Sequence, residues 1–402
     1  MASETTPLAD LLFVVLPHGE SLTSLQAANK LDRLWLLPSH LVQSYARTVI
    51  VCAHNEVESS GNALDLETEH QIAQSRNASY LAWTGDASAL DEFTHGCTCA
   101  TVRTIGFAAG TTACELMELL PKKLHHVALV ASGDVLWSRT QAERFGTDST
   151  EAARAAEVEA QLCAHASAVI GSSDSMVGDL AWRYKVPIML THVIPAALSA
   201  DLPVVTAGGR QNDSIVCACS MTEADRVDLV IEAHAMLRDM GERQTNLTII
   251  GNGPCVDTSK AFAEERCPGT VDFVTETTDQ QRAHMISQAS VFVSATSDEQ
   301  SVPYVLEAMA TGAALVVTNG EGAGQRVQHG VTGLAMPPEP DAIARAIEGL
   351  IDDECWRDAL GMSSMREVRS KYAVESVAEA ELNIHRVVLH KADITTANRS
   401  AA

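Results

Sequence analysis

Two glutamates, Glu299 and Glu307, stand with seven residues between them in the stretch 297–312, Ser-Asp-Glu-Gln-Ser-Val-Pro-Tyr-Val-Leu-Glu-Ala-Met-Ala-Thr-Gly. An ionised carboxylate accepts hydrogen bonds from two neighbouring hydroxyls, which is what gripping a sugar ring or a ribose requires. Val-Leu-Glu-Ala-Met-Ala favours helix, so the residues from Tyr304 onward are expected to be helical. That puts Glu307 in the first turn and Glu299 in the loop before it, two carboxylates facing one cleft and binding a polyol there.

The elements that must position this pair follow from hydrophobic period. Apolar runs of strand length at 11–16, 48–53, 80–83, 100–105, 126–131, 168–171 and 187–194 alternate with helical patterns such as 24–37 and 149–166, which reads as a parallel α/β sheet. Residues 199–212 carry Pro203, Gly208 and Gly209 with little periodicity and suit a linker. A second series of strands follows at 215–219, 247–250, 271–274, 291–294 and 314–318, with helices at 227–240, 259–265, 278–289 and 304–310. Helical patterns at 340–351, 354–371 and 374–390 complete the chain, and the final dozen residues read as frayed. In such sheets a ligand sits beyond the carboxyl ends of the strands. Gly251 and Gly253 lie at one such end, where glycine lets backbone approach a nucleotide or simply makes a tight turn.

The chain has 402 residues, too many for one ordinary core, so two domains of roughly 150 to 200 residues are expected. A net charge of −24 argues against nucleic acid as a partner and against docking on anionic lipid through a basic face. No run approaches the roughly 20 apolar residues of a membrane span, and 11–16 is too short and lacks the basic leader of a signal peptide. A cytoplasmic location is the expectation, with the Asn-x-Ser/Thr matches at Asn77, Asn212, Asn246 and Asn398 due to chance. The ten cysteines are scattered and are expected as free thiols. Cys97 with Cys99, and Cys217 with Cys219, have the spacing that puts both thiols on one face of a strand. Their spacing is not that of a zinc site, and no metal is expected.

The segment from about residue 215 to residue 374 resembles the C-terminal half of the retaining family-four glycosyltransferases, the glycosyl transferases group 1. The pieces that carry the resemblance arrive in the family's order: 227–233, 247–254, 271–274, the 299–312 run, 314–320 and 329–338. The first half aligns loosely before His126 and better afterwards. The resemblance implies the GT-B fold, an α/β architecture of two Rossmann-like doubly wound domains facing across a cleft. Its division is an N-terminal acceptor-side domain at 1–205 and a C-terminal nucleotide-sugar-binding domain at 206–375. A helix within 376–402 then returns to the first domain, ahead of the frayed tail.

The resemblance also implies roles. Glu307 holds the donor's ribose, Glu299 lies against the donor sugar, and the main-chain amides of Gln300, Ser301 and Val302 hold sugar and diphosphate. Amides at a helix start without intrahelical partners favour anionic oxygens in this way. Val274 ends a strand where family members hold the base through main-chain groups, and Gly19, beside His18 in the loop 17–21, corresponds to a loop whose backbone meets the diphosphate.

Three positions depart from the family. The arginine and lysine that neutralise the leaving diphosphate fall at Ser220 and Asp225. Arg226 is the nearest substitute, with Arg326 and Arg210 more distant. The histidine ending a central strand of the first domain has no clear counterpart, with Asp134 the candidate stand-in, and a family glutamate falls at Gln325.

The function expected is transfer of a sugar from a nucleotide-diphosphate donor to an unidentified sugar, lipid or small-molecule acceptor, with retention and with Glu299 and Arg226 as the catalytic groups. Protein groups take the place of a metal, there is no Asp-x-Asp motif, and no cofactor is expected. The alternative is a catalytically inactive GT-B protein acting as a binding or scaffolding partner. A nicotinamide dehydrogenase would want Gly-x-Gly-x-x-Gly after a first strand, whereas Gly253 is followed by Pro254, Cys255 and Val256. A pyridoxal-phosphate phosphorylase would want a cofactor lysine, and the second domain offers Lys260 and Lys371 outside any suitable motif. A nucleotide-sugar epimerase shares the fold and stays a minor alternative.

Overall fold

The computed structural model describes residues 7–28, 30–54, 57, 65–133, 136–198, 202–203, 213–240, 244–297, 301–320 and 322–400, with the side chains of 33, 143 and 391–400 excepted. The chain divides into two compact units, residues 1–197 with 374–402, and residues 198–373.

In the first unit the order is β1 (Ala9–Val15), α1 (Leu22–Ala27), α2 (Leu31–Leu41), β2 (Tyr45–Ala53), α3 (Leu66–Ser75), β3 (Ser79–Trp83) and α4 (Asp91–Thr94). Then come β4 (Cys99–Thr104), α5 (Gly110–Leu119), β5 (His126–Gly133), α6 (Trp137–Phe145), α7 (Thr150–His165), β6 (Ala168–Gly171), α8 (Asp174–Arg183) and β7 (Thr191–Val193). The seven strands form one parallel sheet in the order β3-β2-β1-β4-β5-β6-β7. Helices cover both faces, so β1 from Leu11 to Val15 is buried and apolar throughout rather than alternating. Along β1, Leu12 and Val14 enter one core layer while Leu11, Phe13 and Val15 enter the other.

The second unit runs β8 (Ser214–Ala218), α9 (Val227–Met240), β9 (Asn246–Ile250), α10 (Val256–Arg266), β10 (Val271–Val274), α11 (Asp279–Gln288) and β11 (Val291–Ser294). It continues with α12 (Val302–Thr311), β12 (Ala314–Thr318), β13 (Leu334–Met336), α13 (Pro340–Asp352) and α14 (Glu354–Lys371). Its sheet is parallel, in the order β10-β9-β8-β11-β12-β13. Cys217, Ile249, Val293 and Val316 point into the layer under α9 and α13, and Val216, Ile250, Phe292 and Val317 into the layer under α12. In both sheets the strand order reverses at the first strand, which places a crevice beyond the carboxyl ends of β1 and β4, and another beyond β8 and β11.

The last helix, α15 (Val374–Ser400), belongs to the first unit, where Ala378, Leu382, Ile384 and Val388 join the layer of Leu12 and Val14. A buried polar network locks it there. Arg103 of β4 forks Glu381, with Nε at 2.5 Å and Nη2 at 3.3 Å, and the Tyr45 hydroxyl bridges His385 Nδ1 at 2.6 Å and Thr101 Oγ1 at 3.1 Å.

Several expectations are corrected. The single helix at 24–37 is two, because the Ser21–Ser24 capping box starts α1 early, and α2 then runs through Pro38 to Leu41. The strand expected at 187–194 shrinks to β7, since Leu190 N–H turns back onto the Pro187 carbonyl. The tail expected to fray continues as helix to Ser400. β13, too short to show in the apolar pattern, was not anticipated. Cys97 precedes β4 and packs in the layer opposite Cys99, so these thiols do not share a face, whereas Cys217 and Cys219 do. Residues 199–201 and 204–212 of the expected linker lie outside the described residues. Leu198 N–H bonds the Tyr372 carbonyl and Arg369 bonds the Leu202 carbonyl, both within the second unit.

Burial works to raise the Glu381 carboxyl, but the Arg103 charge and the hydrogen bonds from His385 and Arg103 hold it down at about 2. A carboxylate depressed in the folded state contributes stability that is complete above its unfolded pKa and is lost as pH falls through its folded one. The first unit should therefore lose this contribution between about pH 4.5 and 2. Glu381→Gln should destabilise it by about 3 kcal/mol, since removing one partner strands a buried charge. Thermal melts from pH 7 to 2 check both points: the variant should melt lower at neutral pH and show a flatter acid limb.

Candidate functional site

At the second unit's crevice the loops are tied to one another. After β8, the Asp225 carboxylate accepts from Thr222 N–H at 2.9 Å and from the Thr222 hydroxyl at 3.0 Å, and it is buried. Ser220 N–H donates to Ser301 Oγ at 3.1 Å, and Ser297 N–H donates to the Ala224 carbonyl at 3.0 Å. Ser297 and Ser301 are thus each tied to the β8 loop. Asp225, where the family resemblance expects a lysine, is an internal staple of that loop.

Gly251 and Gly253 are explained by the same packing. A Cβ at Gly251 would lie 2.0 Å from the Cys219 carbonyl oxygen, and one at Gly253 would lie 2.2 Å from that of Ser220. Gly251 N–H donates to the Val274 carbonyl at 3.0 Å, which ties the third expected residue into the same rim. The short turn Gly322–Arg326 closes against residues 296–297, where a Cβ at Gly322 would come within 2.9 Å of the Ser297 carbonyl carbon.

α12 starts at Val302 with Pro303 in its first turn, so Glu307 sits in the second turn rather than the first. It is mostly buried and forked by Arg282 of α11, Nε to Oε2 at 2.9 Å and Nη2 to Oε1 at 2.6 Å. Ser301 has turned its hydroxyl to Ser220, and among the described residues no side chain caps the start of α12. Glu299 and Gln300 lie outside the described residues, as do Arg210 and Asp134. Arg226 adopts a left-handed backbone with φ 46° and directs its guanidinium onto Asp228, Nε to Oδ1 and Nη2 to Oδ2 both at 3.0 Å. Gln325 is exposed, and Arg326 ends the turn against 296–297.

In the first unit Gly19 takes φ 72°, a left-handed turn that suits glycine, with Glu20 N–H bonded to the Pro17 carbonyl. The helix start after it is already closed. The fully buried Glu69 accepts from Leu22 N–H and Thr23 N–H, each at 2.9 Å. A second buried carboxylate, Glu159, does the same at α6, accepting from Trp137 and Ser138 N–H and from the Tyr184 hydroxyl. Ser173 caps α8.

Beyond the carboxyl ends of β1, β4, β5 and β7 lies a cavity of about 290 Å³. Its walls are largely apolar, with Phe107, Trp137 and Ile194 among them, and Thr104, Ser132 and Thr140 supply hydroxyls. Arg103 and Glu381 form part of the wall but are spent on each other. His18 stacks obliquely on Trp137 at 5.3 Å.

The structure thus gathers Ser301, Val302, Gly251, Gly253, Val274 and Glu307 within one unit. The Arg282 fork, the Ser220–Ser301 clasp and the two buried glutamate caps were not anticipated. A signal for the Asp225 staple was present, since Thr222-Glu223-Ala224-Asp225 has capping-box spacing ahead of a helix.

Residues 212–353, which lie within the second unit, match the family described as Glycosyl transferases group 1. A GDP-mannose-dependent α-(1-6)-phosphatidylinositol monomannoside mannosyltransferase of Mycobacterium tuberculosis is 28% identical over 180 residues, covering 42% of this chain and 46% of that protein. An α-1,3/1,6-mannosyltransferase of Rhizomucor pusillus is 23% identical over 201 residues, covering 50% of this chain and 40% of that protein. The chain therefore spans less than half the length of these curated relatives. Among solved structures, sucrose-phosphate synthase of Thermosynechococcus elongatus aligns with a TM-score of 0.70 at 16% identity, covering 95% of this chain and all of that one. Anabaena HepE, solved with UDP and glucose, aligns with a TM-score of 0.68 at 13% identity, covering 93% and 98%. These likenesses establish the two-domain Rossmann-like GT-B fold.

The glycine geometry gives a test of the interlocked rim. Gly251→Ala should force the β8 and β9 loops apart at a cost of about 1–3 kcal/mol. Gly178→Ala, in the interior of α8 with nothing within 4 Å of the added methyl, should instead stabilise by about 0.5–1 kcal/mol. Paired thermal melts decide, and equal behaviour of the two variants would show that the rim is slack.

Proposed function

We propose that this protein is a group 1 glycosyl transferase and moves a sugar from a nucleotide-diphosphate donor to an acceptor hydroxyl, with retention of configuration. The observation that carries the reading is the clasped rim around the open start of α12, lying inside the family-matched segment. The donor's diphosphate sits at the amides of Ser301 and Val302, Glu307 accepts from its ribose, and Glu299 lies against its sugar. Gly251, Gly253 and Val274 shape the floor under the base.

In the reaction the bond between the anomeric carbon and the diphosphate oxygen breaks and its electron pair leaves with the phosphate. The acceptor oxygen bonds the same carbon and passes its proton to the departing diphosphate oxygen. Negative charge grows on the departing diphosphate, where fixed amide dipoles at a helix start act without reorganisation. Arg226, held by Asp228, contributes to that stabilisation only if the fork opens. The acceptor enters the first unit's cavity, whose apolar walls, hydroxyls and internally paired charges favour a neutral group with a hydroxyl. HepE was solved in complex with UDP, and the mycobacterial relative is named as GDP-mannose-dependent; the donor base of this chain lies within that nucleoside diphosphate class. No metal is needed to hold the phosphates in this scheme.

The buried Asp225 and the occupied Arg226 favour a second reading, a protein of this fold that binds without transferring. Calorimetric titration with uridine, guanosine and adenosine diphosphates separates the two: one should bind in the micromolar range, and silence across all three would favour the second reading. For the nucleotide that binds, Glu307→Gln should weaken affinity about tenfold. Arg226→Ala should keep turnover within about threefold, because its charge is already satisfied by Asp228, and a loss of a hundredfold or more would restore it as the phosphate cation.

A further inference from the structure

Among the described residues, every ionisable side chain that lines the first unit's cavity belongs to one pair, Arg103 of β4 and Glu381 of α15. The rest of that wall is uncharged, with Phe107, Trp137 and Ile194 beside the hydroxyls of Thr104 and Thr140. Arg103 Nε and Nη2 fork Glu381 at 2.5 and 3.3 Å, and Nη1 donates to the Thr104 carbonyl at 3.1 Å. These bonds use three of the five N–H groups of a guanidinium, so two stay uncommitted among the described residues. The Arg103 side chain is 6% exposed and that of Glu381 is wholly buried. Glu381 stays ionised, because the Arg103 charge and the hydrogen bonds from His385 and Arg103 hold its carboxyl at about 2 although burial works to raise it. The wall thus presents a cation whose field is cancelled from within. Without that carboxylate, a guanidinium this deep would have no counter-charge, and an anion entering the cavity would supply one.

We propose that Glu381 is the specificity-determining residue of this cavity: as the resident counter-ion of Arg103 it shuts out anionic ligands, so the acceptor taken there is an uncharged hydroxyl compound, free of phosphate, sulfate and carboxylate. The inference rests on the acceptor reading above. An anionic acceptor would meet the Glu381 charge across a wall that holds little water, where like charges repel far more than in bulk. A neutral hydroxyl meets no such repulsion and can accept from the spare N–H groups of Arg103. Glu381 touches no acceptor in this account. It acts by neutralising Arg103, so its loss should change which ligand charge the cavity takes, an effect that a purely structural lock on α15 would not produce.

The test uses two probes of one shape, 2-naphthol and 2-naphthoate, titrated calorimetrically at pH 7 into the full chain without nucleotide. The native chain should bind the naphthol at least about tenfold more tightly than the naphthoate. Glu381→Gln, shown by circular dichroism to be folded at the temperature used, should reverse the order and favour naphthoate at least about tenfold. Arg103→Met combined with Glu381→Leu replaces the pair by apolar groups and should keep the native preference for naphthol. A native chain that takes both probes equally, or neither, would overturn the inference. So would a folded Glu381→Gln variant that still refuses naphthoate, or a double variant that accepts it, since the change would then trace to a loosened α15. These titrations need no donor. If they come out as expected while every nucleoside diphosphate fails to bind, the transferase reading falls alone and the cavity stands as a site for neutral ligands.

Discussion

An anion is received by a protein backbone only where amides lack an acceptor of their own, and this constraint decides which parts of the fold can meet a diphosphate. In the first unit three helix starts that follow sheet strands are already satisfied. Glu69 closes α1, Glu159 closes α6 and Ser173 caps α8. Both glutamates are wholly buried, so the chain supplies its own anions at the places where a ligand's oxygens would otherwise go. In the second unit Ser301 spends its hydroxyl on Ser220, and no described side chain takes its place at α12. On the proposed reading phosphate binding falls to the start of α12; the start of α5 in the first unit is likewise without a side-chain cap, and that unit carries the largely apolar cavity.

The departures from the family pattern make structural sense under that constraint. An aspartate at 225 is no phosphate clamp. Its carboxylate instead ties Thr222 into a turn, and the turn carries the Ser220 and Ala224 groups that anchor residues 297 and 301. The rim is then rigid for internal reasons: glycines at 251, 253 and 322 let four loops approach at distances no side chain would allow. On the proposed reading, such packing would hold backbone donors where charge develops on the leaving diphosphate.

Much of the fold was legible because parallel strands buried on both faces leave apolar runs: 168–171, 291–294 and 314–318 match β6, β11 and β12 residue for residue. What failed was local. A three-residue edge strand such as β13 has no period to detect, and the break between α1 and α2 depends on a cap rather than on hydrophobicity. Of the site, the glycines and the α12 start could be placed from spacing and resemblance. The partners of the charged residues could not, since Arg282 and Glu307 are 25 apart and Leu22 and Glu69 are 47 apart in sequence. Side chains that meet only through the folded sheet leave no pattern along the chain.

The claim on which the account stands is that the diphosphate is held at the start of α12 and not at the loop after β1. Hydrogen–deuterium exchange with and without a saturating nucleoside diphosphate measures this directly. Slowed exchange at residues 301–305 and 251–253, with residues 18–23 unchanged, is the predicted result; protection of 18–23 with 301–305 unaffected would contradict it.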